Sequence, residues 1–417
     1  VNTSVVTAFE HGTLRVGEPT EASLTVTEAE RLFAISASKP GFCAPGHRSV
    51  RFAQHAGLVN MGGRVLEVLP KAGEHLDVGR SRGTFLRLLH LADGLPPFSQ
   101  GVVGHSVQRQ TLLGVFVSAY VDALMQLMRT GLLRRYRSDV DDLRVLRGRL
   151  LITRQAATHG MRPDVLACRY DELTIDNPWN QVLRAALHLS RPWLDGTAHQ
   201  RRWLELGAAF DEVALRRDAV DLLQSLVPDR QVHYYATAMR WAALILKLLS
   251  PNIRAGRSEA PELLFDMNRL FEAAVARQLT RDCAGRGQRV CVQDSELHLA
   301  HLDGVVEIPI FRLRPDLVVR DQAQVVAVAD TKWTRIQVDG RGRLIPEESH
   351  VYQMNAYASV YPCSDFYLVY PWHEGLAGAS NASFAMRGFR NTPARLHVVC
   401  VDVGDDGLPA RSGSWRL

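Results

Sequence analysis

Two carboxylates and an ammonium stand at spacings that could hold a metal ion and move a proton. Asp330-Thr331-Lys332 closes an apolar run, Val325–Ala329, and Arg314-Pro315-Asp316 opens another, Leu317–Val319, with Asp316 fourteen positions before Asp330. Of 49 basic residues only Lys39, Lys71, Lys247 and Lys332 are lysine. Arginine carries nearly all the positive charge, so a lysine kept beside carboxylates asks for a chemical reason. Lysine offers a compact ammonium rather than a rigid planar fork, which suits it to orienting or deprotonating a water. The intervening Arg320-Asp321-Gln322-Ala323-Gln324 is polar and short enough for a hairpin turn. Such a hairpin brings Asp316 and Asp330 to one end of paired strands, and period-two alternation projects Asp330 and Lys332 from one face. Two hard carboxylates, the Thr331 carbonyl and several waters suit the oxygen-rich shell of Mg²⁺, with Mn²⁺ able to replace it. A metal held there polarises a phosphodiester, while Lys332 positions the attacking water and offsets developing charge. A surface ion pair at a strand end is the plainer reading of the same spacing.

Other residues could complete that site. Glu272 lies at the edge of a helical apolar stripe, Met267, Leu270, Phe271, Ala274 and Val275, which tilts its carboxylate toward the metal unless it is simply an exposed helix glutamate. Gln353 and Tyr357 stand at i and i+4, one above the other on a helix face, where they touch the site or a nucleic-acid backbone unless the tyrosine only packs. Arg277, Arg281, Arg286 and Arg289, with Trp333, Trp372 and His373, offer phosphate contacts and stacking surfaces, although solvated faces and core aromatics account for most residues of these kinds. Arg162-Pro163-Asp164 repeats the first acidic element, but no lysine follows an acid at the needed spacing in Cys168–Thr174, so it is rejected as catalytic. His298 and His301 have no third ligand nearby in the sequence. No glycine precedes a lysine, which excludes a Walker A loop, and no H-E-x-x-H motif occurs.

The elements that must position these residues change character twice along the 417 residues. Residues 1–104 read as a β-rich module, with strands at Ser23–Thr27, Ser49–Ala53 and Arg64–Leu69 and a hairpin signal at Gly62-Gly63. Residues 105–255 read as mainly helical, from Leu112, Val115, Phe116, Ala119, Ala123 and Leu127 through Asn180–Leu189, Trp203–Leu215 and Tyr234–Leu249, with strand-like interruptions at Arg149–Thr153 and Val165–Arg169. Residues 256–417 predict a helix over Leu263–Asp282, strands near 288–293, 296–301, 315–320 and 324–330, a helix near 350–360, and strands at 366–370 and 396–402. The class is α/β, α+β overall, with a mixed sheet flanked by helices at the carboxy end. Length allows two or three domains, and 46% hydrophobic with 22% charged residues is an ordinary globular balance. A net charge of +5 leans toward an anionic partner without identifying nucleic acid. Six cysteines without a C-x-x-C pair suggest neither zinc nor a disulfide framework, and fit a reducing cytoplasm. Residues 1–12 lack a signal-peptide core, and the greasiest stretch, Trp241–Leu249, is short and interrupted by Lys247, so a membrane association is not expected.

Arg314-Pro315-Asp316, Asp330-Thr331-Lys332 and Gln353-Met354-Asn355-Ala356-Tyr357 together resemble the PD-(D/E)xK nuclease superfamily. More narrowly, most of the chain resembles the McrC family, nuclease subunits of McrBC-type 5-methylcytosine restriction systems. The resemblance runs through Gly57-Leu58-Val59-Asn60, Leu66-Glu67-Val68-Leu69-Pro70-Lys71, Gly131–Tyr136, Leu146–Leu150, Cys168–Thr174 with Asn180, and Leu270-Phe271-Glu272. It implies that Asp316, Asp330 and Glu272 bind metal, that Lys332 is catalytic, and that the carboxy-terminal domain has the restriction-endonuclease-like fold. It also implies a partner, a McrB-like AAA+ GTPase stimulated through the amino-terminal region, with double-stranded, modified DNA as substrate and self-association through the nuclease domain. The chain departs from the family at Trp333-Thr334-Arg335, where the second basic charge after the lysine is displaced. A rival implication is a non-catalytic adaptor that activates the AAA+ partner and keeps the nuclease fold only for docking.

Overall fold

The two apolar runs flanking the polar turn pair antiparallel in the computed structural model, Leu317–Asp321 against Gln324–Thr331, with Leu317 opposite Ala329. That register sets Asp316 and Asp330 at the same end of the hairpin. Gln322 occupies the turn at φ 51°. The structure describes residues 5–71, 77–92, 95, 110–162, 164–194, 197–250, 262–302, 308–386, 393–404 and 408–413. Pro163 of the rejected Arg162-Pro163-Asp164 and the boundary at Pro251 lie outside them.

The hairpin belongs to a seven-stranded mixed sheet. Gln324–Thr331 runs parallel to Asp365–Pro371, and that strand runs parallel to Ala394–Val401. Arg289–Val292 pairs with Leu317–Asp321, and Ser383–Met386 and Ala410–Ser412 pair antiparallel with Ala394–Val401. Strands buried on both faces read as continuous apolar runs, which is why Leu317–Val319, Phe366–Tyr370 and Leu396–Val401 lack alternation. The helix Glu348–Val360 sends Met354, Tyr357 and Ala358 into a core with Val318, Val328, Phe366, Leu368 and Val398. Burying each large apolar side chain contributes about 1.5–3 kcal/mol, so these layers hold the helix firmly over the sheet. The helix Met267–Ala284 contacts Arg289–Val292 and Gln324–Thr331.

A smaller sheet feeds that helix. Val5–Phe9, Val65–Leu69, His55–Asn60 and Glu262–Asp266 lie side by side in this order. The expected helix over Leu263–Asp282 therefore begins later. Its first residues form a strand because His55–Asn60 offers an open edge, and Asp266 then caps the helix, accepting from the backbone N–H of Asn268 at 2.9 Å and of Arg269 at 3.3 Å. Gly57 sits opposite Leu264 at φ 142°, where a Cβ would meet the Leu263 carbonyl oxygen at 2.0 Å. Ser23–Thr27 is corrected in the same way: only Ser23–Leu24 is strand. Thr25 and Glu28 form a reciprocal capping box that starts a helix at Val26 and carries it to Ser38. With a second helix at Val78–Leu91, the amino-terminal module is less purely β than its turns suggest.

Internal packing divides the chain into two units, one built on Leu113–Ala255 and the other on Ser4–Leu112 together with Gly256–Leu417. The second unit thus holds both the amino-terminal module and the carboxy-terminal sheet. The first unit is mainly helical. Its core places the Phe116 and Trp241 rings 5.7 Å apart, and Asn180, fully buried, donates to the carbonyls of Leu133 at 3.0 Å and Ile175 at 2.7 Å while accepting from the Tyr235 hydroxyl at 2.6 Å. An unexpected nine-residue strand, Arg135–Leu143, pairs with Leu166–Thr174. Its charges fall on both faces, so no apolar alternation marks it, and cross-strand pairing alone defines it. By length and composition the helix Leu112–Thr130 could cross a membrane, but 61% of that stretch is buried within the fold.

Candidate active site

At the end of the hairpin the carboxylates meet. The Thr331 backbone N–H and its hydroxyl both donate to Asp316 Oδ2 at 2.7 Å, fixing the Asp316 carboxylate against the strand that carries Asp330. Asp330 is 1% exposed, and its Oδ2 lies 2.5 Å from Lys332 Nζ. That contact is a close ion pair, and no other hydrogen-bond donor among the described residues reaches Asp330 Oδ2. The shared face of Asp330 and Lys332 follows from strand alternation, as their spacing predicts.

The helix Glu348–Val360 supplies the third side. Gln353 Oε1 accepts from Lys332 Nζ at 2.8 Å, while its Nε2 donates to the Tyr357 hydroxyl at 2.8 Å and to Asp330 Oδ1 at 3.3 Å. The single Tyr357 hydroxyl proton has two acceptors, the Arg314 carbonyl at 3.1 Å and Asp330 Oδ1 at 3.4 Å. Gln353 and Tyr357, one helical turn apart, thus clamp both Lys332 and Asp330. Glu272 approaches from the helix Met267–Ala284. Its Oε1 accepts from Gln293 Nε2 at 2.9 Å, and Gln293 in turn accepts from the Arg314 guanidinium.

Electrostatics set the carboxylates apart from the surface acids. Burial pushes Asp316 above the usual carboxylate range, and the charge of Asp330 pushes it further. Asp330 is also raised by burial, despite the lysine beside it. Glu272 is raised by burial and then by Asp316. Burial likewise raises the Tyr357 hydroxyl. Asp316 and Asp330, both held against ionisation by burial, share one ammonium, while Glu272 has Arg314 and Arg269 for cations; a further cation between the aspartates would favour their charged forms. Among the described residues no three His, Cys, Asp or Glu side chains close on a common point. The donor set that fits a hard divalent ion is therefore Asp316 and Asp330, with backbone or water oxygens filling the shell.

Sequence reasoning missed four neighbours of the site. Gln293 holds a left-handed backbone, φ 50°, secured by its N–H donating to the Asp316 carbonyl at 2.8 Å. Strain of this kind gathers at functional sites, and nothing local in the sequence marks it. Arg314 contributes its carbonyl to Tyr357 and its guanidinium to Gln293. His350 Nδ1 pairs with the Tyr370 hydroxyl at 2.9 Å, and burial and Lys332 lower its pKa. Glu10, 3% exposed, accepts from Trp333 Nε1 at 2.9 Å across 323 positions of sequence. Of the stacking candidates, Trp333, Trp372 and His373 line one cavity. Arg281, Arg286 and Arg289 are exposed, and Arg277 is half-buried. His298 and His301 lie in the strand His298–Leu302. Gly79-Arg80-Ser81-Arg82-Gly83 spells the G-x-S-x-G of serine hydrolases, but Ser81 is 1% exposed inside the helix Val78–Leu91, not on a strand-to-helix turn.

A family model described as McrBC 5-methylcytosine restriction system component matches residues 50–371. Among solved structures, a refined half-complex from the tetradecameric assembly of Thermococcus gammatolerans McrB AAA+ hexamers with bound McrC is similar over 96% of this chain and 96% of that chain, at 18% identity and a TM-score of 0.72. A cryo-EM structure of the Thermococcus gammatolerans McrBC complex is similar over 67% of this chain and 88% of that chain, at 19% identity and a TM-score of 0.51. Likeness at such identities shows a shared fold. The curated proteins give no match.

Proposed function

The chain belongs to the McrBC 5-methylcytosine restriction system component family, and from that premise we propose that it is the nuclease subunit, a Mg²⁺-dependent DNA endonuclease of the PD-(D/E)xK kind. It works in the cytoplasm on double-stranded, modified DNA together with a McrB-like AAA+ GTPase. The observation that carries the reading is the convergence of Asp316, Asp330, Lys332, Gln353 and Tyr357 at one end of the hairpin, with both aspartates raised by burial. A docking fold without chemistry has no need of a buried and a half-buried acid beside a clamped lysine. The McrB hexamers with bound McrC in the similar solved structure support the AAA+ partner and association of copies within a larger assembly.

Asp316 and Asp330 would hold the metal, and when bound it supplies charge stabilisation to the scissile phosphate and the leaving oxygen. Thr331 keeps Asp316 oriented through two hydrogen bonds, so its carboxylate needs no rearrangement to accept a ligand. Lys332, held by Asp330 and Gln353, positions the attacking water in line with the phosphorus and offsets the negative charge that develops, while the proton the water gives up to solvent is matched by the one the leaving sugar oxygen takes from it. Hydrolysis forms one bond from water oxygen to phosphorus and breaks one bond from phosphorus to the leaving sugar oxygen. Glu272 and Gln293 tune the charge beside Asp316.

The test is cleavage of methylated and unmethylated DNA by the full chain with its GTPase partner, GTP and Mg²⁺. Lys332→Ala and Asp330→Ala are each expected to slow cleavage by at least about a hundredfold, the scale of a lost acid–base or electrostatic contribution. Cleavage at the wild-type rate by either variant would remove the assignment and favour the adaptor.

A further inference from the structure

Three parallel strands, Gln324–Thr331, Asp365–Pro371 and Ala394–Val401, end together. Just past those ends a cavity of about 250 Å³ opens, lined by Trp333, Arg335, Trp372, His11, Lys71 and Glu10 among others. Trp333 and Arg335 follow the first strand, and Trp372 follows the second. In open α/β sheets ligands gather outside the carboxyl ends of parallel strands. The same edge carries Asp330 and Lys332, and Trp333 is the residue after Lys332, one Cα step of about 3.8 Å along the chain.

The lining has a mixed chemistry. Trp333 is fixed in orientation: its Nε1 donates to Glu10 Oε1 at 2.9 Å and Oε2 at 3.2 Å, and its ring centroid lies 5.4 Å from that of Phe271. Trp372 stands on the neighbouring strand end with the Arg411 guanidinium 5.9 Å from its ring centroid. Glu10 also accepts the Lys71 backbone N–H at 2.8 Å, so its buried carboxylate is occupied in holding the wall. The Lys71 ammonium is exposed, and its charge acts on the Glu10 carboxylate of the same wall. Rigid indoles beside exposed cations are the chemistry that takes a base by stacking and a phosphate by charge. The volume falls below the roughly 300–1,000 Å³ of sites for drug-sized ligands, which fits one nucleotide better than two.

We propose that this cavity receives a single unstacked nucleotide of the DNA strand being cut, its base against Trp372 and Trp333 and its phosphate on Lys71. The inference rests on the nuclease reading, because it makes this nucleotide the neighbour of the phosphate at Asp316, Asp330 and Lys332. Holding one nucleotide outside the stack fixes the register of the scissile phosphate without reading a base sequence. It also gives the amino-terminal module, through Glu10 and Lys71, a direct part in substrate placement.

The experiment is titration of the full chain with thymidine 5′-monophosphate, without divalent metal, followed by quenching of tryptophan fluorescence. Saturable quenching is expected, weakened about tenfold in Lys71→Gln and in Trp372→Ala, the scale of one lost phosphate contact or one lost stack. Trp372→Phe, which keeps a ring face, is expected to recover part of the affinity. A short oligothymidylate should displace the mononucleotide and show the same sensitivity to both variants. Absence of saturable quenching, or variants that bind like the wild type, overturns the proposal; so does mononucleotide that the oligothymidylate cannot displace, which would mark a free nucleotide as the occupant. Because Lys71 is exposed, an unchanged thermal midpoint for Lys71→Gln excludes misfolding as the cause. Asp330→Ala separates the two readings: if it cuts normally while Lys71→Gln loses nucleotide, only the catalytic assignment fails. If Asp330→Ala is inactive and the cavity variants bind normally, only the cavity fails.

Discussion

Burial and the charge of Asp330 both favour the protonated form of Asp316, and the two hydrogen bonds from Thr331 only partly oppose them. For an acid raised in the folded state, folding is favoured while the group stays protonated and loses that contribution as pH rises from the ordinary value, 3.8, through the raised folded one. The metal-free wild type therefore carries a penalty at pH near 8 that it does not carry in acid. Asp316→Asn, which retains an oxygen to accept from Thr331, is expected to melt higher than the wild type at that pH in the presence of a chelator. The gap should close on acidification below the ordinary carboxylate value. Thermal unfolding across pH checks this, and a gap that is absent, or that widens in acid, would sink it. Added Mg²⁺ should raise the wild-type midpoint, as any ligand selective for the folded state does, and raise the Asn variant much less.

At the scale of elements, the site depends on a hairpin, a helix and a strand that begins far upstream. The small sheet that delivers Glu262–Asp266, and with it the helix of Glu272, is braced by an ion pair inside the fold. Glu67 is fully buried and receives Arg82 Nε at 2.7 Å, Arg82 Nη2 at 2.6 Å and the Leu112 backbone N–H at 2.8 Å. Such a pair adds little against an apolar replacement, but removing one partner strands a buried charge and costs about 3–5 kcal/mol. Arg82→Ala is accordingly expected to lower unfolding stability by that amount, and denaturant titration measures it. A loss below about 1 kcal/mol would mean that water or another group satisfies Glu67. Gly57→Ala tests the next link, since its Cβ would collide with the Leu263 carbonyl. The expected outcome is lost pairing between His55–Asn60 and Glu262–Asp266, visible as faster amide exchange in that strand.

At the scale of the whole molecule, the two units divide the structure between a mainly helical body and a body that joins the amino-terminal module to the carboxy-terminal sheet. If partner activation and DNA cleavage are separate tasks, Lys332→Ala should abolish cleavage yet still stimulate GTP hydrolysis by the partner to the wild-type level. Loss of both activities together would argue against separable roles. The sequence by itself determined the hairpin, the face shared by Asp330 and Lys332, and the helix face shared by Gln353 and Tyr357. Each of these is written in short-range spacing, the period of two in strands and the i, i+4 neighbour in helices, which the backbone enforces locally. It could not show that Leu263–Asp266 would be a strand, that Arg135–Leu143 would pair, or that Gln293 would turn left-handed beside Glu272, because each depends on an edge or partner distant in sequence. Glu10 and Trp333, 323 positions apart, meet only because the chain folds back on itself, and burial, which raises the pKa of Asp316 and Asp330, exists only once that packing is complete. Desolvation and long-range pairing have no local signature, so the charge state of the site and the cavity beside it were decided by the tertiary structure.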